Sequence, residues 1–336
     1  MSLIQTIKSP ISSDPLDAVL GLTRARAETV ATLRGRGDWA IRFPAPAGAK
    51  FNAVLAGSCT VDTAGLPEPV AVRAGDVFVL TRPQEFVLAT SPAVAVGPAS
   101  PHFLASGGRS AEVGPADAPV SAHLIGGSFT FDGRARRLLL DQLPPLVVLP
   151  AHAEGASFPP LLLTRIEHEM RRNTPGSTVV AEHLALVLLV EVLRHHALDA
   201  SQAAGWLRGL DDQVIGVTLR AIHGDPARPW TVKTLAEAAH VSRSTLAARF
   251  KRLVGIGPLE YLMRWRLELA AHELVTTGAT IATIATRIGY GSEAAFSLAF
   301  KRELGATPGA FRRSGQDRAR GDVTARASRR SMPKNR

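Results

Sequence analysis

Residues 230–313 carry an internal repeat with a period of about fifty, and any fold proposed for the chain has to account for it. Ser242, Phe250, Gly255 and Pro258 recur as Ser292, Phe300, Gly305 and Pro308, and Arg249-Phe250-Lys251-Arg252 is echoed by Ala299-Phe300-Lys301-Arg302. Each copy reads as helix, tight turn, helix. In the first, Thr231 caps a helix through Leu235, Ala236 and Ala239, and His240-Val241 makes the turn. Ser242 then caps a second helix whose apolar stripe is Leu246, Phe250 and Leu253, and Gly255 supplies a left-handed stop. In the second copy Thr280 caps a helix through Ile281, Ile284, Ala285 and Ile288, and Gly289–Gly291 makes the turn. Ser292 caps a helix with Phe296, Phe300 and Leu304, stopped by Gly305.

Two short helices crossing steeply need close approach, which the small Ala236 and Ala285 allow. The second helix of each pair is a candidate reader of a DNA major groove. Its capped N-terminus presents free N–H groups and a positive dipole end to phosphate. Between the copies, Pro258 starts a helix to about Val275 with Tyr261, Leu262, Trp265, Leu269 and Leu274 on its apolar side. Such a rod is about 25 Å long and holds two reading helices roughly one DNA turn, about 34 Å, apart. The bland alternative is a helical bundle whose repeat reflects packing alone.

Charge singles out the same region. The first 228 residues hold 20 Lys and Arg against 21 Asp and Glu; residues 229–313 hold 12 against 6, and residues 314–336 hold 7 against 2. A polyanion partner for the C-terminal part alone follows from that asymmetry; a solvated basic tail is the competing explanation. The chain of 336 residues is long enough for two cores. A single cysteine, Cys59, rules out an internal disulfide, fits a reducing cytoplasm and, in its apolar run, reads as a buried structural thiol. The N-terminus lacks an apolar signal segment, and the longest apolar stretch, Ala185–Val190, is too short to span a bilayer.

Upstream, residues 1–13 read as disordered, and Asp14-Pro15 as a helix start. Short β-rich runs follow (Trp39–Phe43, Phe51–Val61, Val70–Arg73, Val77–Leu80, Phe86–Ala89), punctuated by Gly and Pro, which points to a small sandwich or barrel. Residues 97–120 read as a loop, with further strand around His123–Phe131. Arg134–Leu143, Pro160–Arg172, Thr178–His196, Leu198–Arg208 and Gln213–His223 read as helical. Thr178–His196 is apolar on nearly every side, as a helix buried in a core or a subunit interface would be. Gly224–Pro229 reads as a boundary, and the basic residues 314–336 as a disordered tail.

At Leu235-Ala236, Ser242, Leu246, Arg249-Phe250-Lys251, Gly255, Pro258, Tyr261-Leu262, Arg264, Arg266-Leu267, Gly289-Tyr290, Phe296, Ala299-Phe300-Lys301, Gly305, Pro308 and Phe311-Arg312 the sequence resembles the AraC/XylS family of bacterial transcription regulators. Residues 15–200 resemble the cupin-type sensor domain of one branch of that family, with Trp39-Ala40-Ile41-Arg42-Phe43, Gly75-Asp76 and Leu143-Pro144-Pro145 in the expected order. The resemblance implies an α+β chain: a cupin-like β-rich sensor domain over 14–135, a helical linker and dimerisation region over 136–224, and an all-α double helix-turn-helix domain over 230–313. It implies binding to double-stranded promoter DNA, control of transcription, often as an activator through RNA polymerase, a small-molecule effector and homodimerisation through the N-terminal half.

The expected base readers are Arg243, Ser244, Thr245, Ala247 and Ala248 in the first reading helix, and Glu293, Ala294, Ser297 and Leu298 in the second. Family members often carry a large polar or basic residue where Ala248 and Leu298 stand. Neither can make the bidentate Arg–guanine contact worth about 1–3 kcal/mol, so sequence reading is expected either to be weak or to lean on DNA shape. Ser242, Arg249, Lys251, Arg252, Arg264, Arg266, Ser292, Lys301, Arg302, Arg312 and Arg313 are the expected phosphate contacts.

Cupin-like folds often hold a metal on inner-strand His and Glu. Here Lys50-Phe51-Asn52 has Asn52 where a His would stand, and Gln84-Glu85-Phe86 has Phe86 in the second place; both are poor ligands, and neither metal nor cofactor is expected. His195-His196 reads as structural, and His168-Glu169 lacks the second His of a zinc-protease helix. The expectation is a non-enzymatic sensor or dimerisation module, with Phe51, Val54, Phe78 and Phe86 lining an apolar effector pocket or filling the core. A cupin-type enzyme with a helical accessory domain, and a helical protein-binding scaffold, are the alternatives.

Overall fold

A computed structural model of the chain describes residues 13–23, 25–104, 108–131, 139–141, 143–152, 159–172, 174–198 and 205–315. The ends expected to be disordered lie outside these residues except for Ser13, Ser314 and Gly315, as does most of the helix expected over Arg134–Leu143. Contacts divide the chain into two units, Val19–Asp211 and Asp212–Arg336, the latter together with residues 1–18.

The unit Val19–Asp211 is built on a ten-stranded sheet: β1 Arg26–Arg36, β2 Ala40–Phe43, β3 Ala49–Thr63, β4 Val70–Arg73, β5 Val77–Leu80, β6 Phe86–Ala89, β7 Gly97–Pro98, β8 Ser110–Val113, β9 Val120–Thr130 and β10 Leu146–Leu149. The long β3 curls the sheet into a half-barrel. Its first part pairs with β5 and β9, its second with β4 and β6. The bend falls at Gly57, whose φ of +73° no β-branched residue holds without strain, and where a Cβ would collide with the Ser121 carbonyl. Inside the curl, Ile41, Val54, Val61, Val72, Phe78, Leu80, Phe86, Leu88 and Leu124 form one apolar core.

Several expectations for this unit need correction. Of the two readings given for Phe51, Val54, Phe78 and Phe86, core filling is the one seen: all four are buried, and none lines either of the two cavities described below. Val54, Phe78 and Phe86 belong to the core, and Phe51 lies on the opposite face of β3, its ring stacked 4.8 Å from that of Phe129. The stretch 97–120 is not a plain loop: it holds β7, a short helix α2 (Ser100–Leu104) and β8, which pairs in parallel with β1. The stretch 136–224 is not purely helical, because β10 extends the sheet beside β5. The sequence reading assigned no strand to β1, which joins β9 to β8. Among its described side chains Ala27 and Leu33 are the buried hydrophobic ones, spaced six apart rather than alternating.

Helix α1 (Pro15–Thr23) starts as expected, with Asp14 Oδ1 accepting from Leu16 N at 2.8 Å and Asp17 N at 3.1 Å. Helices α3 (Pro159–Arg172) and α4 (Ser177–Leu198) pack together, and α4 lies against β1 and β10, followed by a short α5 (Gly205–Gly209). One side of α4 is sealed (Ala181, Ala185, Leu188, Leu189, Val192, Leu193), while Val180, Val187 and Leu198 on another are exposed. Among the described residues no helix is long and apolar enough to cross a membrane.

The second unit holds α6 (Gln213–Gly224), α7 (Val232–Ala238), α8 (Arg243–Val254), α9 (Pro258–Thr276), α10 (Ile281–Arg287) and α11 (Glu293–Leu304). Helix α6, which the sequence reading grouped with the linker, belongs here. Its His223 ring lies 4.1 Å from that of Trp265 and its Nε2 2.8 Å from the Tyr261 hydroxyl. Burial pushes the His223 pKa down to about 3, so the ring is neutral.

Candidate nucleic-acid interface

The two copies are built by the same local rules. Thr231, Ser242, Thr280 and Ser292 each accept, through their side-chain oxygen, the backbone N–H three residues on at 3.1 Å. Gly255 and Gly305 end the reading helices at φ +89° and +75°. The turns match as well. Val241 N bonds Ala236 O, and Tyr290 N bonds Ala285 O; one step inside, His240 N bonds Glu237 O and Gly289 N bonds Thr286 O. These are Schellman closures, and each needs a left-handed residue, met by His240 (φ +54°) and Gly289 (φ +85°).

Helix α9, 19 residues long, spans about 28 Å. Its first half seals the first copy, with Tyr261 edge-on to Phe250 at 5.7 Å. Its second half, through Leu267, Ala270, Ala271 and Leu274, shares a core with Ile284, Ala285, Ile288, Phe296 and Phe300 of the second copy. Each reading helix thus buries its stripe (Leu246 and Phe250; Phe296 and Phe300) and leaves its N-terminal face open. Arg243, Ser244, Thr245 and Ala248 are exposed, as are Glu293, Ala294 and Leu298, the last at 71 %. Ala247 and Ser297 are half-buried. The Ser242 hydroxyl also lies 3.0 Å from that of Ser244 and 2.8 Å from that of Thr245, so both are already engaged with the cap.

The cationic set divides into two. Lys251, Arg252, Lys301 and Arg313 are exposed; Arg264 is paired with Glu260 at 2.7 Å and Arg302 with Glu303 at 3.4 Å, both on the surface. Three of the expected phosphate contacts, each half-buried, hold partners within the protein. Arg249 holds Asp212 at 2.7 Å. Arg266 donates to the carbonyls of Pro226 (2.6 Å), Arg228 (2.9 Å) and Gly289 (3.3 Å), and burial lowers its pKa. Arg312 donates to the carbonyls of Leu274 and Ala279. These contacts take up part of each guanidinium's five N–H donors and fix its orientation, so they compete with a phosphate for it. Sequence reasoning missed Asp212 and His223 because their partners lie 37 and 38 residues away; the Asp-x-x-Ile start of α6 was the one local signal.

In the N-terminal unit, a polar cleft of about 630 Å³ lies between β1, β8 and the helices α3 and α4, lined by Arg34, Glu112, His123, Glu167, Glu169 and Arg171 among others. His123 Nδ1 stands 4.0 Å from Glu167, and burial lowers its pKa. A second cavity of about 280 Å³ opens inside the half-barrel. Among the described residues no group of three or more His, Cys, Asp or Glu stands close enough to hold a metal ion. Asn52, 5 % exposed, faces into the curl, and Phe86 fills the core. Cys59 is buried, which pushes its thiol pKa up to about 12.

The Cupin family profile matches residues 14–197 and a helix-turn-helix domain profile matches residues 235–314. A protein of Streptomyces lividans described as an AraC-like transcription regulator is 48 % identical over 301 residues, covering 89 % of this chain and 98 % of its own. A protein of the same description from Streptomyces antibioticus is 47 % identical over 304 residues, with the same coverage of both chains. The crystal structure of the DNA-binding domain of AdpA, a global transcriptional factor, with a target DNA is 32 % identical, covering 32 % of this chain and 96 % of that one at a TM-score of 0.31. With both profiles in chain order and relatives matched along nearly their whole length, the chain belongs to the AraC family of transcription regulators, in the branch whose N-terminal half is a cupin domain.

Proposed function

We propose that the chain regulates transcription by laying α8 and α11 into successive major grooves on one face of promoter DNA, with α9 as the spacer. The observation that carries this reading is the matched exposure of the two capped N-terminal faces around Ser244 and Ala294. Affinity comes from phosphate contacts by Lys251, Arg252, Lys301 and Arg313, aided by the helix N-termini at Ser242 and Ser292. Base reading falls to Arg243 and Glu293, while Ala247, Ala248 and Leu298 offer apolar contact to thymine methyls. The cupin unit acts as a non-enzymatic sensor, and the regulator works in the cytoplasm, contacting RNA polymerase and pairing as a homodimer through the N-terminal half. The exposed Val180, Val187 and Leu198 of α4 support the pairing.

The test is selection from a random duplex library by the full chain, followed by fluorescence anisotropy from 50 to 200 mM salt. Two enriched half-sites about one helical turn apart and a steep loss of affinity with salt are expected. No enrichment, or a flat salt response, overturns the reading. Sedimentation of the chain with Val187→Glu against the unchanged protein tests the dimer.

A further inference from the structure

Lysine and asparagine are unusual on the inner face of a curled sheet. Along β3 side chains alternate, so Lys50 and Asn52 share the inward side with Val54. Both line the 280 Å³ cavity, together with Phe43, Phe103, Leu124 and Ser128. The Asn52 side chain is buried and, among the described residues, its amide nitrogen has no hydrogen-bond partner. An unsatisfied buried amide is destabilising unless something else supplies the acceptor. Space is kept for it: Gly126 stands directly across from Asn52, and a Cβ there would collide with Asn52 Oδ1. Among the described side chains no carboxylate pairs with Lys50, and burial alone lowers its pKa to about 8. No Asp or Glu is among the described residues lining the cavity.

The cavity thus offers a cation, an amide with an idle donor and a hydroxyl at one place, and two phenyl rings and a leucine as walls. We propose that this cavity binds a small organic carboxylate, its anionic head between Lys50 and Asn52 and its hydrocarbon part against Phe43, Phe103 and Leu124. The head supplies the acceptors that Asn52 and the ammonium lack, in charge-assisted hydrogen bonds. At ordinary packing density the volume suits an acid of roughly ten non-hydrogen atoms. Lys50 is mostly protonated at neutral pH and loses its charge as pH rises through about 8, so affinity is full below that value and falls above it. This assignment rests on the sensor reading of the cupin unit and names the ligand class of that sensor.

Calorimetric titration of the full chain with 3-phenylpropionate and hexanoate, each against its primary amide, tests it. At least one acid is expected to bind at pH 6.5 at least about tenfold more tightly than its amide, and to lose about tenfold per pH unit above 8. Lys50→Met is expected to bring the acid to the level of the amide, and Gly126→Ala, which displaces the Asn52 amide, to weaken the acid with Lys50 in place. Equal binding of acid and amide, no binding of either acid, or a flat pH profile on the unchanged protein overturns the proposal; the last needs no variant to fold. Anisotropy with operator DNA, with and without the acid, separates the site from the sensor reading. Binding without an effect on DNA affinity keeps the site and removes the sensor. No binding removes the site, while the sensor reading stands or falls on the DNA response to other ligands.

Discussion

Arg249 and Asp212 are joined through a single oxygen: the guanidinium donates from Nε at 2.9 Å to Oδ2 of the carboxylate, and its Nη2 stands 2.7 Å from the same oxygen as an ion pair. The other oxygen, Oδ1, accepts from Val214 N and Ile215 N, both at 3.0 Å, and caps α6. One carboxylate thereby ties the first reading helix to the helix that precedes the repeat. Burial pushes its pKa up, but the hydrogen bonds from Ile215, Arg249 and Val214 outweigh that and hold it below the ordinary carboxylate value. Its contribution is therefore present above the unfolded pKa and is lost as pH falls through the folded one. Asp212→Ala is expected to cost about 2 kcal/mol, the sum of a cap and a partly exposed ion pair. Asp212→Asn keeps the cap and costs less. Urea melts of the three proteins check the order.

His223 works in a separate pH window. Its pKa is pushed down to about 3 by burial in the folded protein, against about 6.5 unfolded. Its neutral form therefore stabilises fully above pH 6.5, and that contribution erodes as pH falls toward 3, by at most about 1.4 kcal/mol per pH unit. His223→Gln, which cannot titrate, is expected to flatten the loss between pH 7.5 and 5.5. A denaturation midpoint that drops equally in both proteins would sink the argument.

The two turns make opposite demands on substitution. His240 occupies a left-handed position with a Cβ, a strain of about 1–2 kcal/mol that His240→Gly relieves, less the added entropy of an unfolded glycine. A net gain of about 0.5 kcal/mol is expected. At Gly289 a Cβ would collide with the Ala227 carbonyl and sit 2.9 Å from Arg266 Nη2. Gly289→Ala is expected to lose more than about 2 kcal/mol. Thermal melts of both variants give the comparison.

Among the basic residues, exposure decides the phenotype. Lys251→Ala and Lys301→Ala should leave the melting temperature unchanged and each lower the slope of log affinity against log salt by about 0.9. Arg266→Ala should unfold the unit by about 3 kcal/mol, because three or more carbonyls lose a donor. An Arg266→Ala protein as stable as the unchanged chain, with a reduced salt slope, would restore Arg266 to the phosphate set.

Legibility followed range. Thr231, Ser242, Thr280 and Ser292 bond three residues ahead, so the caps and the repeat could be read from adjacent letters. Arg249, Arg266 and Arg312 look like any surface cation until partners 23 to 40 residues away are placed beside them. In the sheet, β3 and β5 announce themselves by apolar runs. β1 is defined by its neighbours β8 and β9 rather than by its own residues. Asn52 reads in the sequence as the place where a His ligand would stand, and Lys50 carries no signal of its own. Their shared cavity needed the alternation of β3 and the gap at Gly126.

Because α9 belongs to both cores, the duplication no longer consists of separable modules, and its length is a phase setting. One residue inserted into α9 would turn everything beyond it by about 100° and advance it by about 1.5 Å. Drift in the exposed positions of the reading helices can therefore retune which bases are met, whereas insertions and deletions in this helix put the second probe out of step with the groove.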